Sequence, residues 1–388
     1  MSHLTERVVQ LTEDLIKAST PNGDDAGGQA LIAKRLGELG FATEEINLPN
    51  CPNLLAMRGE GQELFAFSGH TDVVPPGSGW SVDPFDGSVV DGQLIGRGVA
   101  DMKGAVAAWC IALEEFLECN PNSKLPLAVA IAGDEETSSK GTPALIERIE
   151  SLGKRVRLCL VGEPSSTDSL GDCVRIGRRG SLNAKVIVKG EQGHTAYAHL
   201  AKNPIPIAAK IIARLSELDL DASLPTLAPS KGDQGWPKTS LAFSSLEAGL
   251  LTTTNVIPAE ARFNFDIRYR VPLTRERLIE IITPILNDYS TEVSVTWSAG
   301  SFPYDSAPGA LREAVFNALE MFNVTPIANR DGGTSDGRFF ARHGAEVVEM
   351  GPSNATIHKV NEKLPVSELG KLAEAYLNVI ERVAIAWR

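Results

Sequence analysis

The sequence has few cysteines and few aromatic residues, and both shortages exclude classes of protein. It contains five cysteines in 388 residues, and none form a Cys-x-x-Cys pair, so neither a disulfide framework nor a thiolate zinc site is indicated. Aromatic residues make up only 6%, and the five tryptophans do not alternate with basic residues as in single-strand nucleic-acid binders. The free cysteines favour a reducing compartment, so we expect a cytoplasmic protein.

Long apolar runs and an excess of positive charge are also missing. No stretch approaches the roughly 18 apolar residues that a membrane span requires, and the first residues lack a basic segment followed by an apolar one. We therefore expect neither membrane insertion nor secretion. With 37 basic and 49 acidic residues, the net charge of −12 opposes general binding to a phosphate backbone. Nucleic acid is not an expected partner.

What is present is the composition of a globular protein, with 43% hydrophobic and 22% charged residues. At roughly 150 residues per domain, the length predicts two to three domains. Short apolar runs at 64–68, 125–132 and 158–161 predict buried strands. Helical spacing at 103–119 and 142–151 separates these runs, which favours a largely parallel sheet with helices on its faces.

The middle of the chain has a different pattern, in the order of a ferredoxin-like unit: strand, helix, strand, strand, helix, strand. The predicted elements are strands at 182–188, 239–246, 260–270 and 293–297 and helices at 207–218 and 275–289. After residue 308 the α/β pattern returns. We therefore predict an α/β catalytic domain with a mixed sheet flanked by helices, formed by residues 1–179 and 295–388. An α+β lid, residues 180–294, is inserted into it.

Three of the predicted strands end at a glycine that is followed at once by residues able to bind metal. The segments are Gly69-His-Thr-Asp72, Gly133-Asp-Glu-Glu136 and Gly162-Glu163. In open α/β sheets, sites form in the crevice beyond the carboxyl ends of the strands. We therefore expect these five side chains to meet: His70, Asp72, Glu135, Glu136 and Glu163.

Imidazole and carboxylate groups without sulfur suit zinc and other borderline divalent ions. The candidate ligands are His70, Asp101, Glu136, Glu163 and His358. Five ligands are too many for one open catalytic zinc, so we expect two ions with Asp101 as the bridge. Asp72 is expected to accept the imidazole N–H of His70 and so fix its tautomer.

Glu135 and Glu136 are adjacent and are expected to take two different roles. Both cannot face one metal without strain, so one is expected to bind metal and the other to act as general base. A metal lowers the pKa of its bound water to about 7, so a nearby glutamate can take the proton and pass it to a leaving amine. The pattern therefore predicts amide hydrolysis.

Several motifs together resemble the dinuclear-zinc aminoacylase/carboxypeptidase family. They are Gly69-His-Thr-Asp-Val-Val-Pro-Pro76, Gly96-Arg-Gly-Val-Ala-Asp-Met-Lys-Gly104, Asp134-Glu-Glu136 and Val161-Gly-Glu-Pro164. Further segments resemble family members that hydrolyse N-succinyl-LL-2,6-diaminopimelate. These segments are Ile176–Leu182, Gln192–Tyr197, Asn255–Glu260, Gly332–Arg338 and Thr356–Asn361.

This resemblance implies two zinc ions per subunit, for which cobalt can substitute. The implied arrangement has Asp101 as the bridge, His70 and Glu163 on one ion, and Glu136 and His358 on the other. It also implies that Glu135 is the acid/base and that the Asp101–Met102 peptide bond is cis.

The resemblance further implies a homodimer formed through the lid, in which His194 reaches the partner subunit's site and stabilises the oxyanion. The implied substrate is a small anionic acyl-amino acid, whose carboxylates suit arginine. The matching substrate-binding positions are Arg178, Ser181, Tyr197, Asn255, Arg268, Gly333 and Thr334. Two alternatives stay open: a deacetylase of acetylornithine with the same metal centre, and a relative that binds metal or substrate without turnover.

Overall fold

The computed structural model of the protein describes residues 2–21, 24–225, 232–289 and 291–387. The helices in these ranges are α1 (His3–Lys17), α2 (Gly28–Glu38), α3 (Gly104–Cys119), α4 (Gly141–Ser151), α5 (Ile205–Ser216), α6 (Arg275–Asn287), α7 (Ala310–Glu320), α8 (Gly337–Arg342) and α9 (Val366–Ala386). The strands are β1 (Ala42–Glu45), β2 (Leu54–Arg58), β3 (Glu63–His70), β4 (Ser88–Val90), β5 (Gln93–Ile95), β6 (Leu127–Ala132), β7 (Arg155–Val161), β8 (Cys173–Arg175), β9 (Gly177–Arg178), β10 (Gly180–Lys189), β11 (Gly193–His194), β12 (Ser240–Ala248), β13 (Val256–Ile257), β14 (Glu260–Tyr269), β15 (Val293–Trp297), β16 (Tyr304–Asp305), β17 (Ile327–Asn329), β18 (Glu346–Glu349) and β19 (Lys363–Pro365).

The main sheet has eight strands in the order β1-β2-β6-β3-β7-β18-β8-β17. Strand β3 lies near its centre and is parallel to both β6 and β7, while β2 is antiparallel to β6. The sheet is therefore mixed, with a parallel centre, as the sequence predicts. The parallel arrangement places the carboxyl ends of β3, β6 and β7 at the same edge.

Helices cover both faces of the main sheet. Successive residues of a strand point to opposite sides, so each central strand packs against helices on both faces. On β3, Phe65 and Phe67 pack with α1, α3, α7 and α9, whereas Leu64 and Ala66 pack with α4 and α8. Helix α3 is buried almost all round, and its Trp109 stacks on Phe67 with ring centroids 4.8 Å apart. No helix in the described ranges is both long and apolar enough to cross a membrane.

The inserted unit is a second, smaller sheet with two helices and its own core. Its strands run in the order β12-β14-β10-β15, and each neighbouring pair is antiparallel. On β14, Ala261, Phe263, Phe265 and Ile267 are buried and pack with α5 and α6. The predicted ferredoxin-like unit is confirmed. Strand β15 continues to Trp297, and the division of the chain at residues 179 and 294 stays a prediction.

Candidate metal centre

The carboxyl ends of β3, β6 and β7 form one side of the site, as the sequence predicts. The chain crosses this edge at the Asp101–Met102 peptide bond, which is cis, as the family resemblance implies. Glycines allow the close approach: a Cβ at Gly162 would lie 2.6 Å from Cε of Met102, and one at Gly69 would lie 2.9 Å from it. A larger residue at either position would clash with the side chain of Met102.

The potential metal-binding atoms form two groups that share His70. One group is His70, Asp101 and Glu136, the other is His70, Glu135 and Glu163, and the donor atoms of each group lie within 4.8 Å of one another. Adjacent Glu135 and Glu136 therefore belong to different groups. This separation agrees with the expectation that they do not serve the same ion.

Asp101 lies between the two histidines, with one carboxylate oxygen facing each. Its Oδ1 is 3.3 Å from Nε2 of His70, and its Oδ2 is 3.2 Å from Nε2 of His358. The same nitrogen of His358 is 2.9 Å from Oε1 of Glu136, and Nε2 of His70 is 3.8 Å from Oε1 of Glu163. This is the placement that a bridging carboxylate requires.

Two of these donor atoms are buried without a hydrogen-bond partner in the described part of the chain: Nε2 of His70 and Oδ1 of Asp101. Leaving such polar atoms unsatisfied is costly, so native proteins seldom do it without another purpose. The donors are imidazole nitrogen and carboxylate oxygen, which suit borderline divalent ions. The residues present therefore fit a pair of divalent metal ions.

The pKa values of His70, His358 and Glu135 at the site are raised, which favours their protonated forms. Burial alone would lower the pKa of His70, but Asp101 and Asp72 outweigh it and raise that pKa well above its usual value. Hydrogen bonds with Asp101 and Glu136 raise the pKa of His358 to about 10. Burial, followed by the charge of Glu163, raises the pKa of Glu135 well above its usual value. Without a metal the cluster holds protons, which divalent ions would displace.

Asp72 differs in detail from the expectation. Its backbone carbonyl oxygen lies 2.9 Å from Nδ1 of His70, whereas its carboxylate Oδ1 is 3.6 Å from that nitrogen. The carboxylate instead accepts the backbone N–H groups of Glu135 and Glu136, at 3.1 and 3.0 Å. These amides follow β6, so the carboxylate is drawn to them while the carbonyl oxygen faces the imidazole. Asp72 thus contacts the imidazole of His70 and the backbone of both Glu135 and Glu136.

A cavity of about 180 Å³ opens over the donor atoms. The predicted site residues that line it are Asp101, Glu135, Glu136, Glu163, Arg178, Gly333, Thr334 and His358. Two polar residues that the sequence did not indicate, Arg175 and Asn354, line it as well.

Arg178 and Arg175 have different surroundings in this cavity. Arg178 donates from Nε to Oε2 of Glu349 at 2.8 Å, and its Nη2 donates to the same oxygen. Arg175 donates from Nη1 to Asn329, but its buried Nε has no hydrogen-bond partner among the described residues. Burial, then the charge of Arg178, lowers the pKa of Arg175. Of the two cavity arginines, Arg175 is therefore the one with an unpaired hydrogen-bond donor. The only sequence signal for its role is its position next to the predicted substrate-binding segment at Arg178.

Five of the predicted site residues that do not line this cavity lie in or beside the lid: Ser181, His194, Tyr197, Asn255 and Arg268. His194 is exposed, and its Nδ1 accepts the Ala196 N–H at 3.0 Å. On the lid sheet Ser181 lies opposite Arg268, which forms an ion pair with Asp266. The roles of these residues in catalysis and substrate binding stay predictions.

Comparison with known proteins places this geometry in a family. Residues 66–382 match the model of Peptidase family M20/M25/M40. The aminopeptidase PepT from Bacillus cereus is 23% identical, with a TM-score of 0.77 over 98% of this chain and 99% of that one. A metallo-carboxypeptidase of the M20 family from Sulfolobus solfataricus is 15% identical, with a TM-score of 0.78 over 99% and 100%.

A third solved structure is the YXEP protein from Bacillus subtilis, described as a dinuclear metal binding peptidase from the M20 family. It is 16% identical, with a TM-score of 0.69 over 98% of this chain and 99% of that one. These structures share the fold, and the family match covers most of the chain, including the whole donor set. The chain belongs to Peptidase family M20/M25/M40 and is a metal-dependent hydrolase.

Proposed function

We propose that this hydrolase cleaves the amide bond of N-succinyl-LL-2,6-diaminopimelate and releases succinate and LL-2,6-diaminopimelate. This reaction belongs to bacterial lysine and cell-wall precursor synthesis. The observation that carries the proposal is that Arg175, whose Nε has no hydrogen-bond partner among the described residues, lines the same cavity as Asp101, Glu135, Glu136 and Glu163. A carboxylate of the acyl group would pair with the guanidinium of Arg175 and bring the amide to the metal-binding atoms.

Two zinc ions, replaceable by cobalt, are proposed as the cofactors. Asp101 would bind both ions, with His70 and Glu163 on one and Glu136 and His358 on the other. When bound, such ions polarise an amide carbonyl and lower the pKa of a coordinated water to about 7. The placement of Asp101 between the two histidines supports this assignment.

Glu135 is proposed as the acid/base. Its carboxylate lies in the cavity and is raised in pKa by burial, so it would take a proton from the attacking water and pass it to the leaving amine nitrogen. Asp72 would hold Glu135 in place through the backbone N–H that it accepts. A glutamate with a raised pKa suits this exchange near neutral pH.

Binding of the substrate is proposed to depend on local rather than overall charge. The protein is acidic and Arg178 is paired with Glu349, but Arg175 also lines the cavity, and bound metal ions would add positive charge. Gly333 and Thr334 line the same wall and offer polar groups to a carboxylate. The cavity is small, which suits one end of a small substrate rather than a long polypeptide.

We also propose a homodimer formed through the lid. Strand β12 is an edge of the lid sheet, and its Leu246 is 60% exposed, while Leu250 and Leu251 in the following loop are 71% and 103% exposed. Apolar residues clustered on a sheet edge are typical of surfaces that bind another protein. His194 and Tyr197, both exposed and outside the cavity of their own chain, support a site completed by the partner.

The test is hydrolysis by zinc-loaded protein of three substrates in parallel: N-succinyl-LL-2,6-diaminopimelate, N-acetylornithine and an unmodified dipeptide. Release of free amine is measured with and without a chelator. We expect chelator-sensitive release from the succinylated substrate at a rate far above the other two. A preference for N-acetylornithine or for the dipeptide would overturn the proposed acyl specificity but leave the assignment as a metal-dependent hydrolase unchanged. Binding of the succinylated substrate without release would indicate a non-catalytic relative.

A further inference from the structure

Glu362 is a fully buried carboxylate that lies outside both groups of metal-binding atoms. Its Oε1 accepts the backbone N–H groups of Ala100 and Asp101, at 2.9 and 3.1 Å. Its Oε2 accepts the backbone N–H of Gly98 at 3.1 Å and Nη1 of Arg97 at 2.6 Å. Each oxygen of the carboxylate therefore serves two donors, and all of them belong to the segment that ends at Asp101.

The segment needs this acceptor because it is bent and buried. Gly98 has a φ of +88°, and a Cβ at this position would lie 2.6 Å from Cγ1 of Val73. The bend turns the N–H groups of Gly98, Ala100 and Asp101 towards Glu362, whereas the N–H of Val99 bonds to the carbonyl oxygen of Gly96. Buried backbone N–H groups must find a partner, and the side chain of Glu362 provides one for three of them.

Glu362 is also close to His358 in the sequence, four positions after it. The chain between them makes a tight turn in which both His358 and Asn361 have left-handed φ angles, +59° and +58°. The carbonyl oxygen of Glu362 accepts the N–H of Gly96 at 3.0 Å, and β19 then pairs with β5. The backbone of Glu362 thus holds the start of the segment 96–101 through Gly96, and its side chain holds the end through Asp101.

We propose that Glu362 is a positioning residue that fixes Asp101 and His358 relative to each other, so that both bind metal at once. This inference rests on the metal centre proposed above. Glutamine at position 362 would keep the size of the side chain but turn one accepting oxygen into an NH₂ donor that faces two other donors. It would also leave the buried guanidinium of Arg97 without its counter-ion. Asp101 would then lose its fixed place next to His358.

The test compares E362Q with E114Q, using protein stripped of metal and reloaded. Glu114 is a matched control because it is also largely buried and pairs with two arginines, Arg7 and Arg35, in the C-terminal half of α3, outside the cavity. Zinc affinity and stoichiometry are measured by competition with a chelator. Cobalt-loaded protein gives a visible absorption spectrum that reports ligand geometry, independent of turnover.

We expect E362Q to bind zinc roughly 10- to 100-fold more weakly, as is typical when a partner of a metal ligand is removed, and to change the cobalt spectrum. Activity should recover at high zinc concentration, whereas E114Q should match the wild type in all three measurements. Wild-type affinity and spectrum in E362Q would overturn the inference. If E362Q does not fold, E362D keeps the charge on a shorter side chain, and unaltered zinc affinity in E362D would overturn it equally. Wild-type protein that binds no zinc would instead overturn the proposed metal centre.

Discussion

Arg178 donates two hydrogen bonds to one oxygen of Glu349, a carboxylate with no exposed surface. The other oxygen of Glu349 accepts the hydroxyl groups of Tyr304 and Ser335. Arg178 also donates from Nη1 to the carbonyl oxygen of Asp331 at 3.2 Å. The charge of Arg178 is therefore neutralised inside the protein, and it supports the wall of the cavity that contains Gly333.

This pairing predicts that E349Q is strongly destabilised. The variant leaves Arg178 buried without a counter-ion, which costs roughly 3–5 kcal/mol. Urea unfolding at pH 7 measures the loss. The exposed variant E247Q is the control and should unfold like the wild type. A stability of E349Q equal to that of the wild type would show that Arg178 finds another partner.

Glu349 also predicts a dependence of stability on pH. Burial would raise the pKa of Glu349, but the charge of Arg178 outweighs this and holds the pKa below its ordinary value. A group with a lowered pKa stabilises the fold above its unfolded pKa of about 4.3 and loses this effect as the pH falls through the folded value. Wild-type protein should therefore lose more stability between pH 5 and pH 2 than E349Q does. Parallel losses in the two proteins, measured by urea unfolding across this range, would contradict the assignment.

Arg175 is expected to bind a carboxylate of the substrate. R175M removes a charge-assisted hydrogen bond of about 1.5–3 kcal/mol, so kcat/KM for the succinylated substrate should fall roughly 10- to 100-fold. Steady-state kinetics measure the change. R179M is the matched control, because the Nη1 of Arg179 donates to the carbonyl oxygen of Lys238, away from the cavity. An equal effect of both variants would mean that the loss is not specific to the cavity.

Glu135 is expected to transfer protons without being needed to hold the metal ions. E135A should retain two zinc ions per subunit, while turnover falls by roughly 10²- to 10⁴-fold, the usual contribution of a general acid/base. Metal analysis by inductively coupled plasma spectrometry and single-turnover kinetics measure the two effects. Loss of an ion in E135A would show instead that this carboxylate is a ligand, as its distance to His70 and Glu163 allows.

His358 is expected to hold one of the two ions. H358A should bind about one zinc per subunit, because the remaining donors near Asp101 are too few to retain the second ion. The imidazole is half-exposed and its removal costs little packing, so circular dichroism of the variant should match the wild type. Retention of two ions in H358A would exclude His358 as a ligand.

The proposed dimer predicts that two inactive variants restore each other. In a mixed dimer of H194A and E135A, one site has both an intact Glu135 and the partner subunit's His194. Random mixing after mild dissociation should thus restore about a quarter of the wild-type activity. Sedimentation measures the dimer itself. A mixture that stays inactive would show that His194 acts within its own subunit.

The elements of the fold could be predicted from the sequence because they depend on local periodicity. Apolar spacing of three and four residues indicated α3 and α5, and alternation indicated β10 and β14, each within a few residues of its observed bounds. Very short strands, such as β8 and β17, were not predicted. Three residues are too few to show a period, and their pairing depends on residues more than 150 positions away.

Three of the five candidate ligands, His70, Glu136 and Glu163, could also be predicted from the sequence, because each follows a strand whose end is marked by a glycine. Parallel strands bring such ends together whatever the details of packing. The motif at Gly69–Asp72 could therefore be linked to Glu163, some ninety positions later, without a structure.

By itself, then, the sequence determined the longer helices and strands, where three central strands end and which side chains can bind metal. Only the tertiary structure decided how charges are paired around that centre. Arg178 and Glu349 are 171 positions apart, and Glu362 lies 261 positions from the Asp101 amide that it accepts. Such pairs arise where strands and loops from distant parts of the chain are packed together and buried. Burial removes water as a partner, so each charge must take the nearest complementary group that the fold supplies.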